Sequence, residues 1–241
     1  MATKTVYSFC RYTGRFTGEY EAQESPLEPG IFLIPAFATE EAPPAVGANE
    51  VAAFDGEQWQ VYSDYRGGVY YDTETKERHE ITAVGDVPLE NWTDVAPTDS
   101  EEVWNGTAWV LPFDVLAERK KGEIAAARYA SATGTLEIGG NTYNIDKDSQ
   151  TSFLGTLAAF HAGAITSTIW KTSDDFVTLS AEEFKFVVSV VLGYIGACFA
   201  AESSIQEQIE AAGSNEELSA VVWVAPDVSV VIAGLEARKN G

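Results

Sequence analysis

"VWNGTAWVLPFDVLAERKKGEIAAARYASATG", residues 103–134, is where the chain changes its period. The first eight residues set Trp104 and Trp109 on either side of Asn105-Gly106. That dipeptide favours a two-residue type I′ hairpin turn, because both turn positions need φ > 0 and Asn and Gly tolerate it best. From Asp114 onward the pattern is helical. Leu116, Ile124 and Ala127 recur at helical spacing with charges between them. Asp114 is the expected N-cap and Gly134 the expected stop, with Gly122 weakening the middle. The spacing therefore predicts an α+β protein in three parts. Residues 1–112 form a β-rich domain of small hairpin modules, 113–134 an amphipathic connecting helix, and 135–241 an α+β domain of hairpins plus two or three helices.

Towards the N-terminus the aromatic hairpin occurs a second time. In "AFDGEQWQ", residues 53–60, Phe54 stands for Trp104, Asp55-Gly56 for Asn105-Gly106, and Trp59 for Trp109. The ring after each turn shares a strand face with Val61 or Leu111, so Trp59 and Trp109 are expected in the core. Trp104 is expected at the rim as an exposed contact. "RGGVYYDTETKERHEI" reads as another hairpin, with Val69, Tyr71 and Ile81 around the polar turn Thr73–Lys76. "EPGIFLIPAFATEEAPP" carries Pro29, Pro35, Pro43 and Pro44 around an apolar run. Proline donates no ladder hydrogen bond, so this segment is extended and irregular, not a central strand.

Towards the C-terminus, "TLEIGGNTYNID" is a hairpin on Gly139-Gly140. "DKDSQTSFLGTLAAFHAG" opens with cap residues and runs as a helix to Gly163. "STIWKTSDDFVTLS" is a further hairpin, and Ser180 with Glu183 forms a capping box that starts a long helix at Ala181. Ser214 with Glu217 starts another. "VSVVIAGL", within the unplaced residues 227–241, reads equally as strand or helix.

The composition limits the function classes. With 241 residues and 45% of them hydrophobic, the chain can bury a sizeable core. The net charge is −22, and residues 1–115 alone carry 21 acidic against 6 basic side chains. Such a surface repels phosphate backbones and excludes nucleic acid as a partner, while the acidic half suits a basic protein surface. Cys10 and Cys198 read as two free thiols, and no secretion signal is recognised at the N-terminus. "FVVSVVLGYIGACFAA", residues 186–201, is uncharged. It is shorter than the roughly 20 residues of a membrane span, so it is expected to be a buried core helix with no membrane role.

No constellation for catalysis emerges. His79 falls in a charged turn and His161 at a helix end, neither near a cysteine or a second histidine at metal spacing. "DKDSQT" begins like a calcium loop but has Thr151 where glycine and Leu157 where glutamate is needed. Capping by Asp148 or Ser149 accounts for it. No enzyme activity, cofactor or metal is expected. The aromatic crowding is the remaining signal: Trp59, Trp92, Trp104, Trp109, Tyr62, Tyr65, Tyr70 and Tyr71. Such rings either fill small β modules or anchor protein interfaces. The residues singled out for partner binding are Trp104, Tyr65, Arg66, Tyr70 and Trp92.

A resemblance then enters. Pro26 to Gly30, Ile34 to Thr39, Pro43-Pro44, Phe54 to Trp59, Asp64 to Gly67 and Tyr71-Asp72 follow, in order, the pattern of the tail fibre assembly proteins of tailed bacteriophages. The resemblance covers roughly residues 11–112. "GGNTYNIDKDSQTSFLGTLAAF" and "WKTSDDFVTLSAEEF" resemble a small uncharacterised domain of phage tail proteins. The family resemblance implies a chaperone that binds the distal part of a trimeric tail fibre and helps it fold. It would act in the host bacterial cytoplasm during assembly. The alternative is a structural component kept on the fibre tip that contacts the host surface.

Overall fold

Local turn chemistry sets the hairpins, and the chain assembles them into two compact units, Met1–Val110 and Leu111–Gly241. The computed structural model describes residues 2–239. The first unit holds ten strands: β1 (Thr3–Phe9), β2 (Phe16–Gln23), β3 (Ala38–Thr39), β4 (Glu50–Phe54), β5 (Trp59–Ser63), β6 (Val69–Asp72), β7 (Arg78–Glu80), β8 (Trp92–Thr93), β9 (Val103–Trp104) and β10 (Trp109–Val110). All ladders are antiparallel, in sheets of order β2-β1-β3 and β7-β6-β8 and hairpins β4–β5 and β9–β10.

This unit is one plan built twice. A hairpin gains a third strand on the free edge of its first strand, and an aromatic hairpin follows. Tyr7 pairs with Thr39 in the first copy, and Tyr71 with Thr93 in the second. The first hairpin turns alike in both copies. Cys10 N–H donates to the Arg15 carbonyl and Gly14 N–H to Cys10, as Asp72 donates to Glu77 and Lys76 to Asp72. Gly14 and Lys76 hold matching φ values of 69° and 63°. Phe9 N–H reaches the Phe37 carbonyl at 2.8 Å, and Thr73 N–H reaches Asn91 at 2.9 Å. The recurrence of the aromatic hairpin in the sequence is the visible part of this longer repeat.

The aromatic hairpins differ from the expected type I′ turn. Phe54 pairs with Trp59 and Trp104 with Trp109, so four residues close each loop. Only the glycine has positive φ, 110° at Gly56 and 102° at Gly106. The residue before it acts through its side chain. Asp55 Oδ1 accepts the Glu57 and Gln58 N–H groups at 2.9 and 2.8 Å. Asn105 Oδ1 accepts Thr107 and Ala108, both at 2.9 Å. The short side-chain acceptor thus organises a wider loop.

The second unit holds α1 (Phe113–Ala132), β11 (Thr135–Ile138), β12 (Asn141–Asn144), α2 (Lys147–His161), β13 (Ser167–Lys171), β14 (Phe176–Ser180), α3 (Ala181–Ala211), α4 (Asn215–Ala220) and α5 (Val228–Lys239). The Gly139-Gly140 turn is the two-residue kind, with φ of 59° and 78° between the paired Ile138 and Asn141. α1 follows Pro112, not an Asp114 cap, and Asp114 sits in its first turn. The helix read as a connector packs within this unit, where Ile124 joins Ile205, Ile209, Leu218 and Val221. Asp146, not Asp148 or Ser149, caps α2 by accepting the Ser149 N–H at 2.7 Å. The Ser180–Glu183 capping box forms in both directions.

α3 is the spine. Phe184, Val187, Val188, Val190, Val191, Tyr194 and Cys198 bury into a core with Tyr143, Ile145 and Phe153. It runs 31 residues, with a window of mean hydropathy 1.9, and by length and composition is long enough to cross a membrane. The core helix of a folded unit passes the same test; 39% of this window is buried in the unit, while Phe186, Leu192 and Phe199 are exposed. The segment left open between strand and helix is α5, packed on α3.

Candidate interaction surface

The two tryptophans after the turns are built into the core, as their spacing predicts. Trp59 and Trp109 are each 9% exposed. Both tie their hairpin to the loop after the third strand. Trp59 donates its indole N–H to the Glu41 carbonyl at 2.8 Å, and Trp109 to Val95 at 2.7 Å. The opposing rings meet edge to face, Phe54 against Trp59 at 5.3 Å and Trp104 against Trp109 at 5.4 Å. Phe9 and Phe16 also pack edge-on to Trp59. Trp104 is half-buried at the rim, with its ring edge-to-face against Trp109. Val61, expected on the buried face with Trp59, is exposed.

Tyr70 and Trp92 are brought together by a residue the sequence placed in a turn. His79 lies in β7, opposite Tyr70, and stacks on Trp92 with centroids 4.1 Å apart and planes 5° from parallel. Tyr70 also stacks against Trp92, with ring centroids 6.4 Å apart and planes 27° from parallel. Tyr70, Asp72 and their partners His79 and Trp92 share one face of β7-β6-β8, since alternate strand residues face the same way. The alternation of Tyr70 and Asp72 with His79 across the polar turn was the signal for this stack.

Tyr65 and Arg66 occupy the turn before β6. Gly68 N–H donates to the Tyr65 carbonyl at 2.9 Å. A Cβ on Gly68 would lie 2.8 Å from the Tyr70 ring, so glycine lets the turn close against that ring. Arg66 binds Asp64 in a fork, Nε to Oδ1 at 2.6 Å and Nη2 to Oδ2 at 2.7 Å. Arg66 also lines a cleft of about 920 Å³ with Arg15, Phe16, Phe54 and Tyr62. Tyr65, Tyr70, Trp92 and Trp104 do not line it. The five residues singled out from the sequence thus separate into the stacked pair Tyr70–Trp92, the adjoining turn with Tyr65 and Arg66, and Trp104 on its own hairpin.

The electrostatics suit recognition more than proton transfer. Hydrogen bonds from Arg66 hold the Asp64 carboxyl below the usual range. The Gln58 and Glu57 N–H groups do the same for Asp55, and those of Thr75 and Glu74 for Asp72. All three stay ionised at neutral pH, and none is poised as a general acid. The Cys10 thiol is lowered by a hydrogen bond with Thr13. Among the described residues no group of His, Cys, Asp and Glu is arranged to hold a metal ion.

Comparison with known proteins finds one domain model and several relatives, each matching part of the chain. A model of a domain of unknown function, DUF4376, matches residues 115–228. The tail fiber assembly protein of Escherichia phage lambda is 36% identical over 110 residues, 45% of this chain and 54% of the relative. The prophage tail fiber assembly protein homolog TfaR of Escherichia coli K12 is also 36% identical over 110 residues, 45% and 55% of the two chains. The homolog TfaE of the same strain is 43% identical over 56 residues, 23% and 28%. The chain spans about half the length of the first two relatives. No solved structure matches. About 45% of the chain is thus similar to proteins named for phage tail fibre assembly, and residues 115–228 match the DUF4376 domain model.

Proposed function

We propose that this protein is a tail fibre assembly chaperone, which binds the distal part of a trimeric phage fibre through its first unit and assists folding and trimerisation. The relationship to proteins named for tail fibre assembly carries the reading. The surface supports it: the aromatic stack Tyr70–His79–Trp92 and the rim ring Trp104 sit on a strongly acidic unit with no metal-holding cluster among the described residues. Intertwined fibres have high contact order and expose strand edges while they fold, and a binder that covers them suppresses aggregation. The work takes place in the host cytoplasm during assembly. Co-expression with the distal part of the fibre from the same phage tests it. A soluble, trimeric fibre fragment should form with this protein and aggregate without it. Equal yield of soluble trimer in both cases sinks the proposal. Mass spectrometry of purified particles distinguishes release after assembly from retention at the fibre tip.

A further inference from the structure

The repeated plan of the first unit shows what each copy needs and what it adds. Phe37 and Asn91 hold the same place: each precedes the third strand, and each carbonyl accepts the equivalent bond, from Phe9 and from Thr73. Asn91 does this without positive φ, whereas Phe37 adopts φ of 64°. A bulky residue there is strained, and the second copy shows that the plan does not require it. The strained backbone presents a phenyl ring that remains 45% exposed.

Arg11 lies over that ring, 5.6 Å from its centroid, and over the ring of Tyr12, 5.7 Å away. Tyr12 is 88% exposed. Lys4, Arg66 and Arg78 each pair with a carboxylate, Glu40, Asp64 and Glu80. Among the described residues Arg11 has no such partner, although the chain around it carries carboxylates in excess. A guanidinium that meets ring faces keeps its in-plane N–H edge free, and that edge matches a carboxylate in a two-point bond. Arginine, tyrosine and exposed aromatic rings are also the residue types that dominate protein interfaces.

We infer that Arg11, Tyr12 and Phe37 form a clamp for a carboxylate of the fibre segment that this protein binds, flanked there by an apolar side chain that packs on the two rings. The clamp rests on the fibre-binding reading above and deepens it. It uses none of the residues singled out from the sequence. Charge complementarity identifies the occupant: Arg15 and Lys76 also lack a carboxylate partner among the described residues, but Arg11 is the one of the three that lies over exposed aromatic rings, Phe37 and Tyr12.

The test is binding of the full chain to the distal fibre fragment of the same phage, compared with Arg11→Glu and Phe37→Asn. Phe37→Asn copies the residue of the second repeat and relieves the strain. Both variants should bind at least tenfold more weakly, and both should melt within a few degrees of the parent. A smaller loss in Arg11→Glu overturns the clamp. Arg11 is an exposed side chain with no ion pair to break, so that variant remains readable even if Phe37→Asn folds poorly. Failure of the parent chain itself to bind the fragment overturns the fibre-binding reading and the clamp with it. Binding by the parent that Arg11→Glu leaves intact overturns the clamp alone.

Discussion

Trp59 donates its indole N–H to the carbonyl of Glu41, a residue 18 positions earlier in the chain, at 2.8 Å. The bond fixes the aromatic hairpin β4–β5 to the loop that follows β3, and Trp109 repeats it on Val95. A buried ring and a loop carbonyl are thus coupled in each copy. Losing the ring removes both the apolar contact and the partner of the carbonyl.

Replacement of either tryptophan should therefore be severe. Trp59→Ala and Trp109→Ala are each expected to cost about 3–5 kcal/mol, the range for deleting a large buried ring. Trp104→Ala, at the rim, should cost at least about 1 kcal/mol less than Trp109→Ala, because less of its ring is removed from water. Denaturant unfolding followed by far-UV circular dichroism measures all three. Equal costs for Trp104 and Trp109 would contradict the assignment of rim and core.

Gly14 is confined twice over. It has φ of 69°, and a Cβ there would lie 2.2 Å from the Phe54 carbonyl oxygen. Gly56, with φ of 110°, has nothing within 4 Å of the same atom. Gly14→Ala should cost more than Gly56→Ala, by about 1 kcal/mol or more, since steric overlap adds to backbone strain. A thermal melt of the two variants checks the order.

In the second unit Arg128 Nε donates to Glu202 Oε2 at 2.9 Å, and Glu202 is 8% exposed. Arg128 also lies 4.5 Å from the Phe199 ring centroid. Arg128→Met should destabilise this unit by about 3 kcal/mol at neutral pH, because it leaves a buried carboxylate without its cation. Adding Glu202→Gln should recover part of the loss. A double-mutant cycle by urea unfolding reads the coupling.

The Asp55 carboxyl gives a pH signature. Its folded pKa is lowered below the ordinary 3.8 by hydrogen bonds from the loop N–H groups. A depressed carboxylate pKa contributes stability that is present above the unfolded value and lost as pH falls through the folded one. Asp55→Ala should melt below the parent at pH 7, and the gap should narrow once the pH drops below about 3.8. A gap that stays constant to pH 2 would show that the loop is held without the ionised side chain.

The sequence by itself determined the local elements. Asp55-Gly56, Asn105-Gly106 and Gly139-Gly140 announce hairpins because glycine supplies positive φ at their turns, and Ser180 with Glu183 announces α3 because a capping box satisfies its first N–H groups. Alternation placed Trp59 and Trp109 inward. Each of these depends on residues a few positions apart. Only the tertiary structure decided the pairing of Tyr7 with Thr39 and Tyr71 with Thr93, and so the doubled plan of the first unit. A two-residue strand has too little alternation to fix a register. The same holds for His79, whose short strand hides in a polar turn, and for Arg11, whose aromatic neighbour Phe37 arrives by way of a proline-rich segment. α5 was settled by contact as well. "VSVVIAGL" fits either period, and it becomes a helix where Val231 meets α3 at Gly193, so close that a Cβ on that glycine would lie 2.8 Å from Val231 Cγ1. Turn and cap signals are written in neighbouring residues, whereas partners distant in sequence are chosen by the burial that the whole chain achieves.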